Sequence, residues 1–330
     1  MNTFAVMAAE QAVKLSVPGW HWLVLLGWFV LLLLVDLVVF HREDHVPSLR
    51  ESIIQTSIWV GLGVVMGFVF WPIYGGHASA EYFSGFAIEK SLSIDNVFVW
   101  SIILTYFKIP GKYQHRVLFW GVFGALLFRA IFIFAGVAMI ERFEVTLVLL
   151  GILLLVTGYK VFRGGDDEFD PNTSKMIKWL KKIIPVSHEL HGHALFTREN
   201  GKRVATMLFV ALCAIEITDI FFAVDSVPAI LAVARDPFIV FASNASAILG
   251  LRALYSVFHG MKDKFWLLNQ GLGIILVGVG VKMLISPHEI FGIPWFGIHT
   301  PTAISLTFIL GILTLSIAGS FHLPQPESKR

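Results

Sequence analysis

The sequence predicts an all-α polytopic membrane protein with nine transmembrane helices, its N-terminus outside and its C-terminus inside. Three observations carry this. Of 330 residues, 56% are hydrophobic and 15% charged, more apolar surface than a water-soluble core of this size needs. Apolar runs of about 20 residues recur along the chain, the length that spans a bilayer. Lys and Arg are also unevenly divided between the connecting segments. With the N-terminus outside, only Lys14, Arg142 and Arg235 fall in outer segments, while 17 fall in inner ones, eight of them within 163–203. Cytoplasmic segments concentrate Lys and Arg, which fixes the orientation.

The expected spans are 20–40, 52–74, 80–107, 116–140, 143–163, 204–233, 238–260, 265–286 and 300–321. The run at 20–40 is too long for a signal h-region and reads as the first span. Asp36 lies near its inner end, where it either joins a buried site or reaches the interface. The segment 164–203 is expected in the cytoplasm. Within it, 174–184 places Ile177, Leu180 and Ile184 on one helical face and Lys175, Lys178 and Lys182 elsewhere, the pattern of an interfacial amphipathic helix. Asn200-Gly201 sits between alternating residues, a hairpin signal. His188, His191 and His193 read as part of a solvated loop. The whole of 1–330 is one transmembrane domain. A net charge of +2 gives no reason to expect a nucleic-acid partner, and a single cysteine, Cys213, excludes a disulfide within one chain.

Two stretches repeat each other. Glu89…Asp95-Asn96-Val97 is echoed by Asp219…Asp225-Ser226-Val227, each inside an apolar run. Arg129-Ala130 and Arg252-Ala253 follow in the next spans. Gly151…Gly158-Tyr-Lys160 and Gly273…Gly280-Val-Lys282, both G-x6-G-x-K, follow in the spans after those. Three landmarks in the same order define two repeats, 80–163 and 204–286. Each has three spans, so the second must insert upside down, and a 3 + 3 inverted core places a site near the midplane between the halves.

Carboxylates are expensive in hydrocarbon and mark functional positions there. Six residues of helix advance about 9 Å and about 240°, so Glu89 and Asp95 occupy different faces, as do Asp219 and Asp225. Glu89, Ser93 and Asn96 form one polar stripe, and Glu216, Asp219 and Ser226 another. Pro228 removes a helix donor, and a break beside it would expose carbonyls. The candidate ligands are Glu89, Asp95, Asn96, Glu216, Asp219, Asp225 and Ser226, with Asp36, Arg129 and Arg252 as possible additional or coupling residues. Guanidinium cannot bind a cation, so the arginines read first as counter-charges. Oxygen ligands of this kind suit Mg, Ca or Mn rather than Zn or Cu. Protons compete with metal for clustered carboxylates.

EKSLSIDNVFVW, EITDIFFAVDSVPAI and ILGLRALY together resemble the TerC/Alx family of bacterial membrane proteins, and the TRENGK hairpin resembles its Alx branch. The resemblance implies a nine-span inner-membrane protein related in architecture to the LysE transporter superfamily. It also implies metal-ion homeostasis, with Mn²⁺ export as the activity. Its acidic motif positions fall on Glu89, Asp95, Asn96, Glu216, Asp219, Asp225 and Ser226.

The expectation is a secondary transporter, not an enzyme. It has no prosthetic group, a divalent cation as substrate, the lipid bilayer as its surroundings, and protons as a candidate coupling ion. The absence of G-x4-G-K-[ST] argues against direct use of ATP. Two other classes stay open. An assembly or insertion factor would use the charged groove for protein segments. An intramembrane aspartyl protease would use Asp95 and Asp225 as a dyad, but neither follows the expected Gly-x-Gly.

Overall fold

A computed structural model describes residues 15–39, 48–143, 145–163, 187, 192, 194–199, 202–261, 267–287, 289–290, 293–298 and 300–322. The described chain is mostly helical. Among the described residues, seven helical stretches are long and apolar enough to cross a membrane, one of them (Pro237–Val257) interrupted, and a shorter apolar helix covers Gln270–Ile285. The first helix, α1 (Gly19–Val39), turns Leu23, Val24, Leu31, Leu34 and Val38 outward. A large apolar exterior of this kind suits lipid, not water.

The expected spans 52–74 and 80–107 form one long element, α2 (Leu49–Tyr106), opened by a capping box between Ser48 and Glu51. No separate loop joins them. Gly75 alone leaves helical geometry, at φ 90° and ψ 166°. The chain reverses there. Tyr82 donates its hydroxyl proton to Gly63 O at 2.9 Å, and Ser79 to Gly67 O at 2.8 Å. A straight helix would hold Gly63 and Tyr82 about 28 Å apart. Thus α2 has two antiparallel arms, and the second carries the first acidic motif.

The chain continues through α3 (Gly111–Arg142) and α4 (Val145–Phe162). Strands β1 (Phe196–Glu199) and β2 (Lys202–Ala205) then pair antiparallel, Phe196 opposite Ala205 and Glu199 opposite Lys202. They flank the predicted Asn200-Gly201 turn. The amphipathic segment 174–184 and His188, His191 and His193 lie outside the described residues.

The second acidic motif is on α5 (Met207–Leu231). The break expected at Pro228 does not occur. The helix runs through it and ends three residues later, so only the carbonyl of Val224 loses its usual donor. The break comes instead in the next predicted span, 238–260, which divides into α6 (Pro237–Ile248) and α7 (Leu251–Met261). Asp236 caps α6, accepting from the amides of Phe238 and Ile239. Leu249 leaves the helix at ψ 134°, and Gly250 turns the chain at φ 83°, a conformation that only glycine adopts freely.

The molecule closes with α8 (Leu268–Ile285), a short ribbon of β3 (Glu289–Ile290) and β4 (Ile293–Pro294), and α9 (Thr302–His322). Helices α4 and α8 meet at the repeated glycines in a reciprocal way. A Cβ on Gly158 would stand 2.8 Å from Gly273 O, and one on Gly273 2.7 Å from Gly158 O; Gly151 and Gly280 show the same exchange. Glycine lets two helix backbones approach this closely. Helix α6 lies at the centre, with every residue from Phe238 to Ile248 buried. It packs against α2 and α3, so the site beneath is enclosed by helix on several sides.

Candidate functional site

The second arm of α2 meets α3, α5 and α6 around one side chain, Arg129. Its Nη1 donates to Glu89 Oε1 of α2 and, at 3.1 Å, to Ser226 Oγ of α5. Its Nε and Nη2 donate to the two oxygens of Asp219 at 3.5 and 3.3 Å. Both carboxylates have further donors. Ser93 Oγ donates to Glu89 Oε1 at 3.3 Å, and Asn244 Nδ2 of α6 donates to Glu89 Oε2 at 3.1 Å. Asn96 Nδ2 donates to Asp219 Oδ1 at 3.3 Å. Glu89 and Asp219 are fully buried, and Arg129, Asn96, Ser226 and Asn244 are each only 1% exposed.

Helical periodicity explains the convergence. Glu89, Ser93 and Asn96 lie one and two turns apart on one stripe, and Asp219 and Ser226 are two turns apart on α5. Each stripe therefore presents an acid and a neutral polar group to the same space. Isolated charges here would be very costly, and pairing with Arg129 is what permits their burial. With both acids ionised, the guanidinium leaves one net negative charge.

The other expected site residues divide into three groups. Asp95 and Asp225 lie on α2 and α5, but their side chains lie outside what the structure describes. Glu216 sits one turn before Asp219 yet takes no part in the Arg129 bonds. Its half-buried carboxylate rests against α3 where Gly124 leaves room for it. Asp36 and Arg252 are held in a second buried centre. Arg252 pairs with the Asp36 carboxylate, donates to the Asp36 backbone carbonyl at 3.3 Å, and lies over the Phe119 ring. Asp36 is therefore buried, only 6% exposed, in a centre it shares with Arg252.

Three features escape a reading of the sequence alone. Asn244 completes the shell of Glu89; its signal is the polar run Ser243-Asn244 with Ser246 inside an otherwise apolar span. Lys90 pairs with no acid among the described residues. Its Nζ donates to Ala247 O at 2.9 Å and Leu249 O at 3.5 Å, the carbonyls left at the end of α6. A cation at a helix C-terminus also complements the helix dipole. Lys282, the lysine of the second glycine repeat, donates to Ser305 Oγ on α9 at 2.9 Å.

Chemically, the site offers hard oxygen atoms. Two of them, Asn96 Oδ1 and Glu216 Oε2, are buried and have no hydrogen-bond partner among the described residues. Amide and carboxylate oxygens in that condition suit a hydrogen-bond donor or a cation. Among the described residues, no group of three or more His, Cys, Asp or Glu side chains is assembled to hold a metal ion. The described carboxylates of the central cluster are engaged by Arg129.

Comparison with known proteins places these features in a family. The model for "Integral membrane protein TerC family" matches residues 74–327. An uncharacterized membrane protein of Myxococcus xanthus, STKORF319, is 42% identical over 315 residues, covering 94% of this chain and 96% of its own. A Salmonella typhi protein, Alx, named as a proposed membrane-bound redox modulator, is 39% identical over 297 residues, covering 87% and 89%. The Alx of Escherichia coli K12 is 37% identical over 295 residues, with the same coverages. No solved structure matches the chain. Matched over most of its length by the family model and by relatives of nearly its own size, the chain belongs to the TerC family of integral membrane proteins.

Proposed function

We propose that this protein is a secondary transporter that exports a divalent metal cation, with Mn²⁺ as the first candidate, from the bacterial cytoplasm across the inner membrane. The observation that carries this reading is the convergence of Glu89 and Asp219. They come from helices with related motifs and meet fully buried in one polar cluster. Buried intramembrane carboxylates of this kind mark ion pathways. Asp95, Asp225 and Glu216 lie within two turns of them on the same helices, and Asn96 supplies an amide oxygen.

The same reading includes nine passes, N-out and C-in, around a 3 + 3 inverted core at 80–163 and 204–286. The turn at Gly75 supports two passes within α2. The glycine contacts between α4 and α8 support the inversion: Gly151 meets Gly280 and Gly158 meets Gly273, as an antiparallel two-fold relation between equivalent positions requires. The interrupted α6–α7 segment beside the acids also fits, because transporters place broken helices at their ion sites.

The test is Mn²⁺ flux in proteoliposomes containing the purified protein. Flux that depends on the protein and falls sharply in Glu89→Gln and Asp219→Asn supports the reading. Protein-independent flux removes it. A thiol-based redox role, which the name of the Alx relatives brings to mind, would have to use the half-buried Cys213. On the transporter reading, Cys213→Ser keeps full flux.

A further inference from the structure

Arg129 occupies the place that a transported ion would need. It engages both described acids at once, using Nη1 for Glu89 and both Nε and Nη2 for Asp219. A divalent ion bound by the same carboxylates could not share them with the guanidinium. Like charges a few ångströms apart, screened by little water, repel strongly. The charge count favours exchange over addition. Two ionised carboxylates facing Arg129 keep one negative charge; facing a divalent ion, they keep none.

The geometry points to Arg129 as a built-in competitor of the substrate: it holds Glu89 and Asp219 while the site lacks metal, and yields them when a divalent cation binds. This rests on the transporter reading above. The carboxylates are prepared for such an exchange. Ser93 and Asn244 brace Glu89, and Asn96 braces Asp219, independently of Arg129. The unpartnered oxygen of Asn96, on the residue that already touches Asp219, is positioned to become a ligand as the arginine leaves.

Arg252 shows what a different arrangement looks like. It is the repeat-related arginine, and it is also buried. It pairs with Asp36 and is further held by the Asp36 backbone carbonyl and the Phe119 ring. Displacing it would offer a metal the one carboxylate of Asp36, whereas displacing Arg129 offers those of both Glu89 and Asp219. Arg129, which holds two carboxylates of the acidic motifs, is thus the arginine placed to compete with a divalent ion.

The exchange gives the empty carrier a way back. A site that has released its ion and holds two bare carboxylates is expensive to bury. Arg129 refills it from within, so the unloaded protein can close and reset. Without Arg129, metal should bind more tightly and turnover should slow.

The experiment compares full-length parent, Arg129→Gln, Arg129→Lys and Arg252→Gln, each purified in detergent. Mn²⁺ binding is measured by calorimetry, and the thermal midpoint is measured with and without Mn²⁺. Arg129→Gln is expected to bind Mn²⁺ at least tenfold more tightly than parent and to gain more thermal stability from the ion. Arg129→Lys, which keeps a charge but loses the planar fork, should fall between them. Arg252→Gln should keep the parent affinity. If Arg129→Gln folds only when prepared with Mn²⁺, the ion has replaced the guanidinium and the inference stands. If Mn²⁺ stabilises the parent but cannot rescue Arg129→Gln, the inference is overturned. It is equally overturned if both Arg129 variants bind no more tightly than parent. A parent that binds no divalent ion removes the transporter reading itself, a result distinct from either.

Discussion

The seam between α4 and α8 can be tested with a single methyl group. In Gly158→Ala the new Cβ would stand 2.8 Å from Gly273 O, 2.8 Å from Val277 N and 2.9 Å from Leu276 Cβ. Ordinary contact begins near 3.4 Å, so the helices must separate by about half an ångström, and two of the three neighbours are backbone that cannot rotate aside. Overpacking of this kind costs about 1–3 kcal/mol. Replacing glycine by alanine within a helix returns about 0.5–1 kcal/mol. The expected net change is a loss of up to about 2.5 kcal/mol. Gly311→Ala on α9 is the control, because no atom lies within 4 Å of its added Cβ, and it should be neutral or slightly stabilising. In the Gly158→Ala/Gly273→Ala double mutant, both methyls press on the same crossing. Once the helices have parted for one, the second costs less, so the loss should fall short of the sum. Thermal unfolding of five proteins purified in one detergent measures this: parent, Gly158→Ala, Gly273→Ala, their double mutant and Gly311→Ala. A Gly158→Ala protein as stable as Gly311→Ala would refute the close-packed seam.

Other predictions concern the site and the topology. Asp95→Asn and Asp225→Asn should each abolish most Mn²⁺ flux while leaving membrane insertion intact, and the double mutant should be little worse than either single; normal flux in a well-expressed double mutant would eliminate a two-carboxylate site there. Mn²⁺ flux should rise from mildly acidic to alkaline pH, since protonation removes the charge that attracts the ion, and a flat profile would rule out proton competition. In a Cys213→Ser background, Arg198→Cys on the exposed hairpin should resist impermeant thiol reagents in intact cells and react after permeabilisation; labelling in intact cells would reverse the assigned orientation. Gly250→Ala should lower stability by about 1–3 kcal/mol through its left-handed backbone alone, with further loss where its Cβ meets Trp59, and parent-like unfolding would show that the break is not needed.

The acidic repeat was legible because it combines charge with a fixed spacing inside apolar helix. Helical arithmetic alone places Glu89 with Asn96, and Asp219 with Ser226. Arg129 was legible as a counter-charge, but its two partners were not, because they come from helices 40 and 90 residues away in sequence. Asp36 shows the same limit. Its burial against Arg252 depends on how α1 docks, and no local pattern encodes that. Backbone breaks were hardest to read. Pro228 suggested an interruption, but it lies so near the end of α5 that the helix absorbs it. Gly250 gave no warning, because one glycine in an apolar run is equally compatible with continuous helix. Gly75 was hidden inside an expected connection of several residues, whereas the chain turns on one.

That turn gives α2 a mechanical property. The arm carrying Glu89 and the arm carrying Gly63 and Gly67 are joined with no slack, and Tyr82 and Ser79 tie them side by side. A longer loop would let one arm tilt while the other stayed still. Here the two behave as a folded lever with its pivot at Gly75. Through these bonds a displacement of the outer arm is coupled to the arm that carries the buried acid. Loosening that coupling would take both a longer pivot and the loss of the Tyr82 and Ser79 bonds.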